Sequence, residues 1–166
     1  SPEGKRVAVI GTGASAVQFV PQLQPRVAHL TLFQRTPTWI LPHPDRPIPQ
    51  RVRSMFARVP VTQRALRGVC SIVQEMMVPG LVSHPSLLKP AAALGRWHLR
   101  RQVADDKLRA ALTPTYSFGC KRPTFSNRYY PALAAPNASV VSDPIVGVRP
   151  AGIETADGRV HEVDTI

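Results

Sequence analysis

The feature that most constrains this chain is a short apolar run, Val7-Ala8-Val9-Ile10, entered through Arg6 and passing directly into Gly11-Thr12-Gly13-Ala14-Ser15-Ala16. A run with no polar alternation is the pattern of a strand buried on both faces, as in a parallel sheet. The turn after it fits G-x-G-x-x-A. Gly11 permits the tight turn out of the strand, and Gly13 lets the backbone approach a pyrophosphate. A short helix read over Ser15 to Leu23, cut by Pro21 and ended before Pro25, would offer that anion its free N–H groups and the positive end of its dipole. His29-Leu30-Thr31-Leu32-Phe33 reads as a second strand. Strand, glycine turn, helix and strand within about 30 residues form the opening of a dinucleotide-binding βαβ unit. A glycine fingerprint alone is a weak signal, but this one has the strand before it and the helix after it that the chemistry requires. Gly11, Thr12, Gly13, Ala14, Ser15 and Ala16 are therefore candidate cofactor contacts, with Gln18 further along the helix. The bland alternative is a structural strand-helix turn.

The end of the second strand selects the dinucleotide. A site for NAD places an acid there, against the ribose hydroxyls. Here the strand ends Phe33-Gln34-Arg35-Thr36, with no acid nearby. A guanidinium can fork onto the additional phosphate of NADP, and Thr36 can add a hydroxyl bond. Lys121-Arg122 is a second cationic pair, restrained by Pro123 toward an extended shape in which neighbouring side chains diverge. Such a pair can serve two anions, one of them a negative reaction intermediate, although most exposed Lys-Arg pairs simply face water.

The rest of the chain reads as one domain of 166 residues. Residues 1–49 hold the βαβ unit and a proline-rich arm from Pro37 to Pro49. Residues 50–113 read as a helical insertion broken at Pro60, Pro79-Gly80, Pro85 and Pro90, with a last helix from Trp97 through Leu112. Residues 114–166 return to the sheet: a loop over 113–127, a strand at Ser139–Ser142, and strands at 145–148, 152–155 and 160–163 joined through an Asp157-Gly158 turn. The chain stops at Val163–Ile166 within what reads as another buried strand, so it is expected to be a fragment. Fold class is α/β, a Rossmann-like dinucleotide-binding domain with a helical insertion and a β-hairpin near the C-terminus.

The formal charge of +11 is unevenly spread: six arginines and no acid from Arg46 to Gln74, but five acids against two arginines from Asp143 to Ile166. A basic surface suits polyanions, including phosphate-rich cofactors; with 17 arginines against four lysines, arginine-rich codon usage explains it equally well. Cys70 and Cys120 are isolated, without CxxC spacing, which fits a reducing cytoplasm and speaks against a disulfide scaffold. Cys120 is expected as a small buried packing residue, and Trp39 and Trp97 as packing anchors. No histidine pairs with an acid or cysteine at metal-ligand spacing, so no metal is expected. No stretch approaches the ~20 uninterrupted apolar residues of a membrane span.

Together these residues resemble the Baeyer–Villiger monooxygenases, within the wider class of flavin-containing monooxygenases. The resemblance runs through Gly4 to Ala16, then Phe33-Gln34-Arg35-Thr36-Pro37-Thr38-Trp39, Phe118-Gly119-Cys120-Lys121-Arg122-Pro123, Tyr129-Tyr130-Pro131-Ala132-Leu133 and Pro136-Asn137. Relatives in this family also carry a helical insertion in the NADP domain. The resemblance implies that NADPH reduces a bound FAD, that oxygen adds to the reduced flavin, and that the resulting anion attacks a ketone to give an ester or lactone. It places Arg122 where the family has the arginine that stabilises that anion, and Lys121, Arg35 and Thr36 where the family grips the additional phosphate. The implied partners are the FAD-binding domain of the full-length chain, a ketone and O2, with no nucleic acid and no membrane span. The FAD glycine motif is absent here, so the fragment alone is expected to be inactive. Asn127-Arg128 stands where many relatives have an acid.

Two other readings remain. An N- or S-oxygenating flavin-dependent enzyme needs no anion-stabilising arginine, so Arg122 discriminates; a reductase would show a redox-active cysteine pair. A basic nucleic-acid-binding module would interleave aromatics with its cations, whereas the tract from Arg46 to Gln74 has one, Phe56.

Overall fold

The computed structural model describes residues 1–44, 47–76 and 78–166. Arg46, the first residue of the basic tract, and part of the proline-rich arm lie outside the described residues. In chain order the elements are β1 (Arg6–Ile10), α1 (Ala14–Leu23), β2 (His29–Phe33), β3 (Ile40–Leu41), α2 (Gln50–Arg58), α3 (Pro60–Glu75), α4 (Val78–Val82), α5 (Lys89–Gln102), α6 (Asp106–Ala111), β4 (Thr124–Phe125), α7 (Tyr129–Leu133), β5 (Ala138–Val141), β6 (Ile145–Arg149), β7 (Gly152–Thr155) and β8 (Val160–Glu162). Single 3-10 turns occupy Gln24–Arg26 and Pro85–Leu88.

β1, β2 and β5 form a parallel sheet in that order, the Rossmann-like arrangement expected. Ile10 pairs with Phe33 and Phe33 with Val141, so the three carboxyl ends are level. Alternate residues point to opposite faces. Val7, Val9, Leu30 and Leu32 meet Val17 and Val20 of α1 and Tyr129, Tyr130 and Leu133 of α7 on one side. Ala8 and Phe33 meet Ile153 of β7 on the other. Both faces are covered, which is why the strands read as unbroken apolar runs. Leu30 and Leu32 are fully buried, each contributing roughly 1.5–3 kcal/mol. The second face is covered by an antiparallel three-stranded sheet, β6-β7-β8, which includes the hairpin expected around Asp157-Gly158.

Several local expectations are corrected. Pro21 lies inside α1 without cutting it, so the helix tolerates one missing N–H donor. Pro60 and Pro90 begin helices, occupying the first turn where an N–H has no partner anyway. The helix expected from Trp97 through Leu112 is two. Val103 to Asp105 interrupts it: the Asp105 carboxylate caps α6 by accepting from Leu108 N at 2.6 Å, and the Arg109 guanidinium donates to Val103 O at 3.0 Å. The proline-rich arm and the later loop meet as the short parallel pair β3–β4, where Ile40 partners Thr124. Val163–Ile166 is not a buried strand. Thr165 forms an isolated parallel bridge with Val7 at the edge of β1, and the segment is largely exposed.

The insertion differs most from the sheet. α2 and α3 contain no buried residue. On α3 the apolar residues Val61, Leu66, Val69, Ile72 and Val73 are all exposed, as is Met76 at its C-cap. Pro60–Val82 is long enough, and apolar enough on average, to pass a length-and-composition test for a membrane-crossing helix, although it is no uninterrupted apolar run. It carries Arg64 and Arg67 one turn apart.

Candidate functional site

The glycine turn is shaped by backbone alone. Gly11 has φ +104°, a conformation that L side chains rarely adopt, and its N–H donates to Phe33 O at 2.8 Å, tying the turn to the end of β2. Gly13 is the N-cap of α1 with extended backbone, and it supplies no side-chain cap. There is no acid in the first turn of α1, so its leading N–H groups and dipole face outward without a competing carboxylate. The Thr12 hydroxyl donates to Thr36 O at 3.0 Å and fixes the turn against the segment after β2.

In front of these strand ends lies a cavity of about 490 Å³. Its walls are Ile10, Gly11 and Thr12 from the end of β1, Phe33 to Thr36 from the end of β2, Asp143 to Ile145 after β5, and Lys121. An adjoining cavity of about 270 Å³ shares Thr12, Thr36 and Lys121 and adds Gly13, Ala14, Tyr116 and Arg122. Gly11, Thr12, Arg35, Thr36 and Lys121 are thus brought together, and Gly13, Ala14 and Arg122 stand beside them. Three predicted contacts are not. Ser15 lines neither cavity. Ala16 is buried in the core against the sheet. Gln18 lines a separate cavity with Gln22, His43 and Asn127. Successive helix residues turn by about 100°, so proximity in sequence to the glycine turn does not keep a side chain on its side of α1.

Arg35, Lys121 and Arg122 form no ion pair among the described residues, leaving a concentration of positive charge around Thr12 and Thr36. Lys121 and Arg122 both line the smaller cavity, and Lys121 alone also reaches the larger one. The Lys121 ammonium sits 4.9 Å from the centre of the Tyr116 ring, a cation–π contact that orients it. Tyr116 O in turn accepts from Trp39 Nε1 at 3.2 Å, and Trp39 is buried beneath β3–β4. Trp39 is therefore a packing anchor, as expected. Trp97 is half exposed with the Arg101 guanidinium 5.4 Å over its ring, and Cys120 is exposed; neither is the buried packing residue anticipated. Gln34 is buried: its Nε2 donates to Ala111 O at 2.8 Å, while its Oε1 has no partner among the described residues. Asn127 ties the arm to the later loop, accepting from His43 N at 3.0 Å and donating to His43 O at 2.7 Å. Among the described residues, no three His, Cys, Asp or Glu are grouped to hold a metal ion.

Tyr116 and the segment Asp143 to Ile145 were not among the sequence candidates. The signal for Asp143 was available only through topology, because β5 must lie beside β2 before its carboxyl end can share a cavity with Arg35.

No protein-family profile matches the chain. Individual relatives do. A Baeyer–Villiger monooxygenase of Pseudomonas aeruginosa is 49% identical over 164 residues, covering 99% of this chain and 31% of the relative. One of Streptomyces coelicolor is 44% identical over 163 residues, covering 98% and 31%. The chain thus spans about a third of the length of these relatives. Among solved structures, an oxidized steroid monooxygenase bound to NADP aligns with TM-score 0.82 at 25% identity, over 99% of this chain and 38% of that one. A cyclohexanone monooxygenase from Rhodococcus sp. Phi1 bound to NADP+ aligns with TM-score 0.80 at 26% identity, over the same shares.

Proposed function

Taking the chain as a homologue of one stretch of the Baeyer–Villiger monooxygenases, we propose that it is the NADP(H)-binding part of an FAD-dependent enzyme that inserts one oxygen atom of O2 into a ketone, giving an ester or lactone. Its organisation follows: residues 1–49 carry the glycine-turn unit and arm, 50–113 a helical insertion, and 114–166 the return to the sheet. The FAD is held mainly by the remainder of the longer polypeptide, and the enzyme works in the cytoplasm.

One observation carries the reading. The glycine turn, the free start of α1 and the cations Arg35 and Lys121 line two adjoining cavities, which share Thr12, Thr36 and Lys121, at the carboxyl ends of a parallel sheet, which is where open α/β sheets bind ligands. The fit to a dinucleotide is supported by the turn itself. A Cβ added at Gly11 or Gly13 would meet no protein atom within 4 Å, so the space before the backbone is open to a pyrophosphate. Thr12, Gly13 and Ala14 would hold that group, while Arg35, Thr36 and Lys121 would hold the 2′-phosphate, with Tyr116 keeping Lys121 in place. Bound flavin supplies the oxygen-activating chemistry. Arg122, which lines the smaller cavity, would supply a fixed positive charge to the negative charge that develops in the reaction, the arrangement that most strongly stabilises a transition state.

The test is titration of the protein with NADP+ and NAD+ at ~150 mM salt, where diffuse attraction is screened. NADP+ should bind more tightly, and Arg35→Ala should weaken NADP+ by roughly tenfold to a hundredfold, about 1.4–2.8 kcal/mol, while leaving NAD+ nearly unchanged. Equal binding of both nucleotides, unaffected by the substitution, would sink the assignment. In the full-length enzyme, Arg122→Ala should abolish ester formation while leaving NADPH oxidation measurable. Ester formation that survives would remove Arg122 from that role, whereas a parent enzyme that oxygenates an amine or sulfide and gives no ester from a ketone would favour an N- or S-oxygenating enzyme instead.

A further inference from the structure

Three parallel strands end level, and each end carries a different chemistry. β1 ends in the glycine turn, β2 in Arg35 and Thr36, and β5 in Ser142-Asp143-Pro144. Neighbouring strands lie about 4.8 Å apart, so the crevice from the glycine turn to the Asp143 segment spans roughly 10 Å. A dinucleotide laid across it with pyrophosphate at β1 and 2′-phosphate at β2 brings its purine to β5.

Asp143 lines the same cavity as Arg35 and Lys121, yet among the described residues its carboxylate makes neither an ion pair nor a side-chain hydrogen bond. An acid in a phosphate site is otherwise unfavourable, because like charges repel. It therefore serves a part of the ligand that is not anionic. Its segment is held in place: Pro144 restricts the backbone of Asp143, Pro144 O accepts from Ala156 N at 2.8 Å, and Ile145 opens β6 and packs against the cluster of Phe33 and Ile153. Pro144, Ile145 and Ile10 give the cavity apolar surfaces suited to a flat ring.

We infer that Asp143 reads the base of the dinucleotide, its carboxylate accepting a hydrogen bond from the 6-amino group of adenine. This deepens the NADP(H) reading and rests on it. Among the described residues Asp143 is the one carboxylate that lines the cavity, and the side-chain oxygen of Gln34 is buried away from it. Adenine presents a donor at position 6, whereas hypoxanthine presents a carbonyl acceptor there. Against hypoxanthine the carboxylate loses its partner and faces a second acceptor, and a site built around one hydrogen bond rejects the analogue that lacks it.

The experiment compares NADP+ with its hypoxanthine analogue, nicotinamide hypoxanthine dinucleotide phosphate, by calorimetric titration of the full-length protein. Parent, Asp143→Ala and Asp143→Asn are run side by side, each also with NAD+. The parent should prefer NADP+ over the analogue by roughly tenfold or more. In Asp143→Ala the two should bind within about twofold, and in Asp143→Asn the ratio should fall to about one or invert, since an amide can donate to the hypoxanthine carbonyl. A retained preference for NADP+ over NAD+ in both variants shows that fold and phosphate site are intact. Equal binding of the two bases by the parent, or an unchanged ratio in Asp143→Ala, overturns the role of Asp143 and leaves the NADP(H) reading standing. Failure of the parent to bind NADP+ at all overturns both.

Discussion

The sheet and the helical insertion both carry many apolar residues and use them in opposite ways. In β1, β2 and β5 apolar side chains point both ways and are covered on both faces, by α1 and α7 on one side and by β7 on the other. In α3 they recur as Val61, Ala65, Val69, Ile72 and Met76, with Leu66 and Val73 beside them, while Arg64, Arg67, Ser71 and Glu75 lie on the opposite face. That is a well-formed amphipathic helix whose apolar face is open. Periodicity fixes which kind of element forms, whereas burial depends on what lies next to it. The main cavity is walled chiefly by the ends of the first kind of region, with Lys121 added from the loop before β4.

The largest expected effects lie in the sheet. Leu30 is fully buried between β1 and β5, and Leu30→Ala should cost about 2–5 kcal/mol of unfolding free energy, measured by urea denaturation. A loss below about 1 kcal/mol would mean that the sheet is no better packed than the insertion, and the contrast would fail. Gly152 is next. It has φ +152°, and a Cβ there would lie 2.1 Å from His161 O on the neighbouring strand β8. Gly152→Ala should therefore disrupt β7–β8 and uncover Ile153, with a loss of roughly 2 kcal/mol or more read from thermal melting. An unchanged melting temperature would show that the antiparallel sheet is not required to cover Ala8 and Phe33.

How much of this was legible beforehand follows the same division. β1, α1 and β2 could be read from the sequence because each is local and its apolar pattern is complete in itself. β3 and β4 could not: two residues each, they exist only because Ile40 meets Thr124 across more than 80 positions of chain. Pro60 and Pro90 read as breaks in the sequence, although proline is as much at home in a helix's first turn as it is disruptive later. Within the site, Arg35, Thr36 and Lys121 were reachable through charge and motif. Gln18 follows the glycine turn closely in sequence, but helix rotation turns its side chain toward another cavity, and Asp143 comes beside Arg35 only because β5 lies beside β2.

A smaller effect is electrostatic and belongs to the edge of the sheet. Arg6 bonds Asp164 through both its guanidinium and its backbone N–H, each at 2.8 Å, and also pairs with Glu162. These hydrogen bonds to Arg6, the side chain first, hold the Asp164 carboxyl down to about 2. The folded value lies below the ordinary value near 4 of an unfolded chain, so the unfolded state binds the proton first as pH falls. The stabilisation is present above about pH 4 and is lost between there and about pH 2. Asp164→Asn should flatten the acid limb of a stability-against-pH curve in that window, and an unaltered limb would show that Asp164 contributes nothing to it. Because the pair is exposed and salt-screened, the change should shrink in 1 M salt.

The smallest expected effect sharpens the comparison most. Ile72 sits in the middle of the apolar face of α3 and is 61% exposed. In this 166-residue chain Ile72→Ser should change stability by no more than about 0.5 kcal/mol, as for a surface position that touches no packed core. Its far-UV spectrum should be unchanged, because serine is only slightly poorer than isoleucine as a helix former. A loss approaching that of Leu30→Ala would mean that the face of α3 is buried in solution, and that the insertion packs as the sheet does. The same substitution in the full-length protein separates the two regions further. There, a loss well above the value in the short chain would locate a covering surface outside these 166 residues. Equal small losses in both would leave the apolar face of α3 open, with the sheet as the sole source of rigidity at the nucleotide crevice.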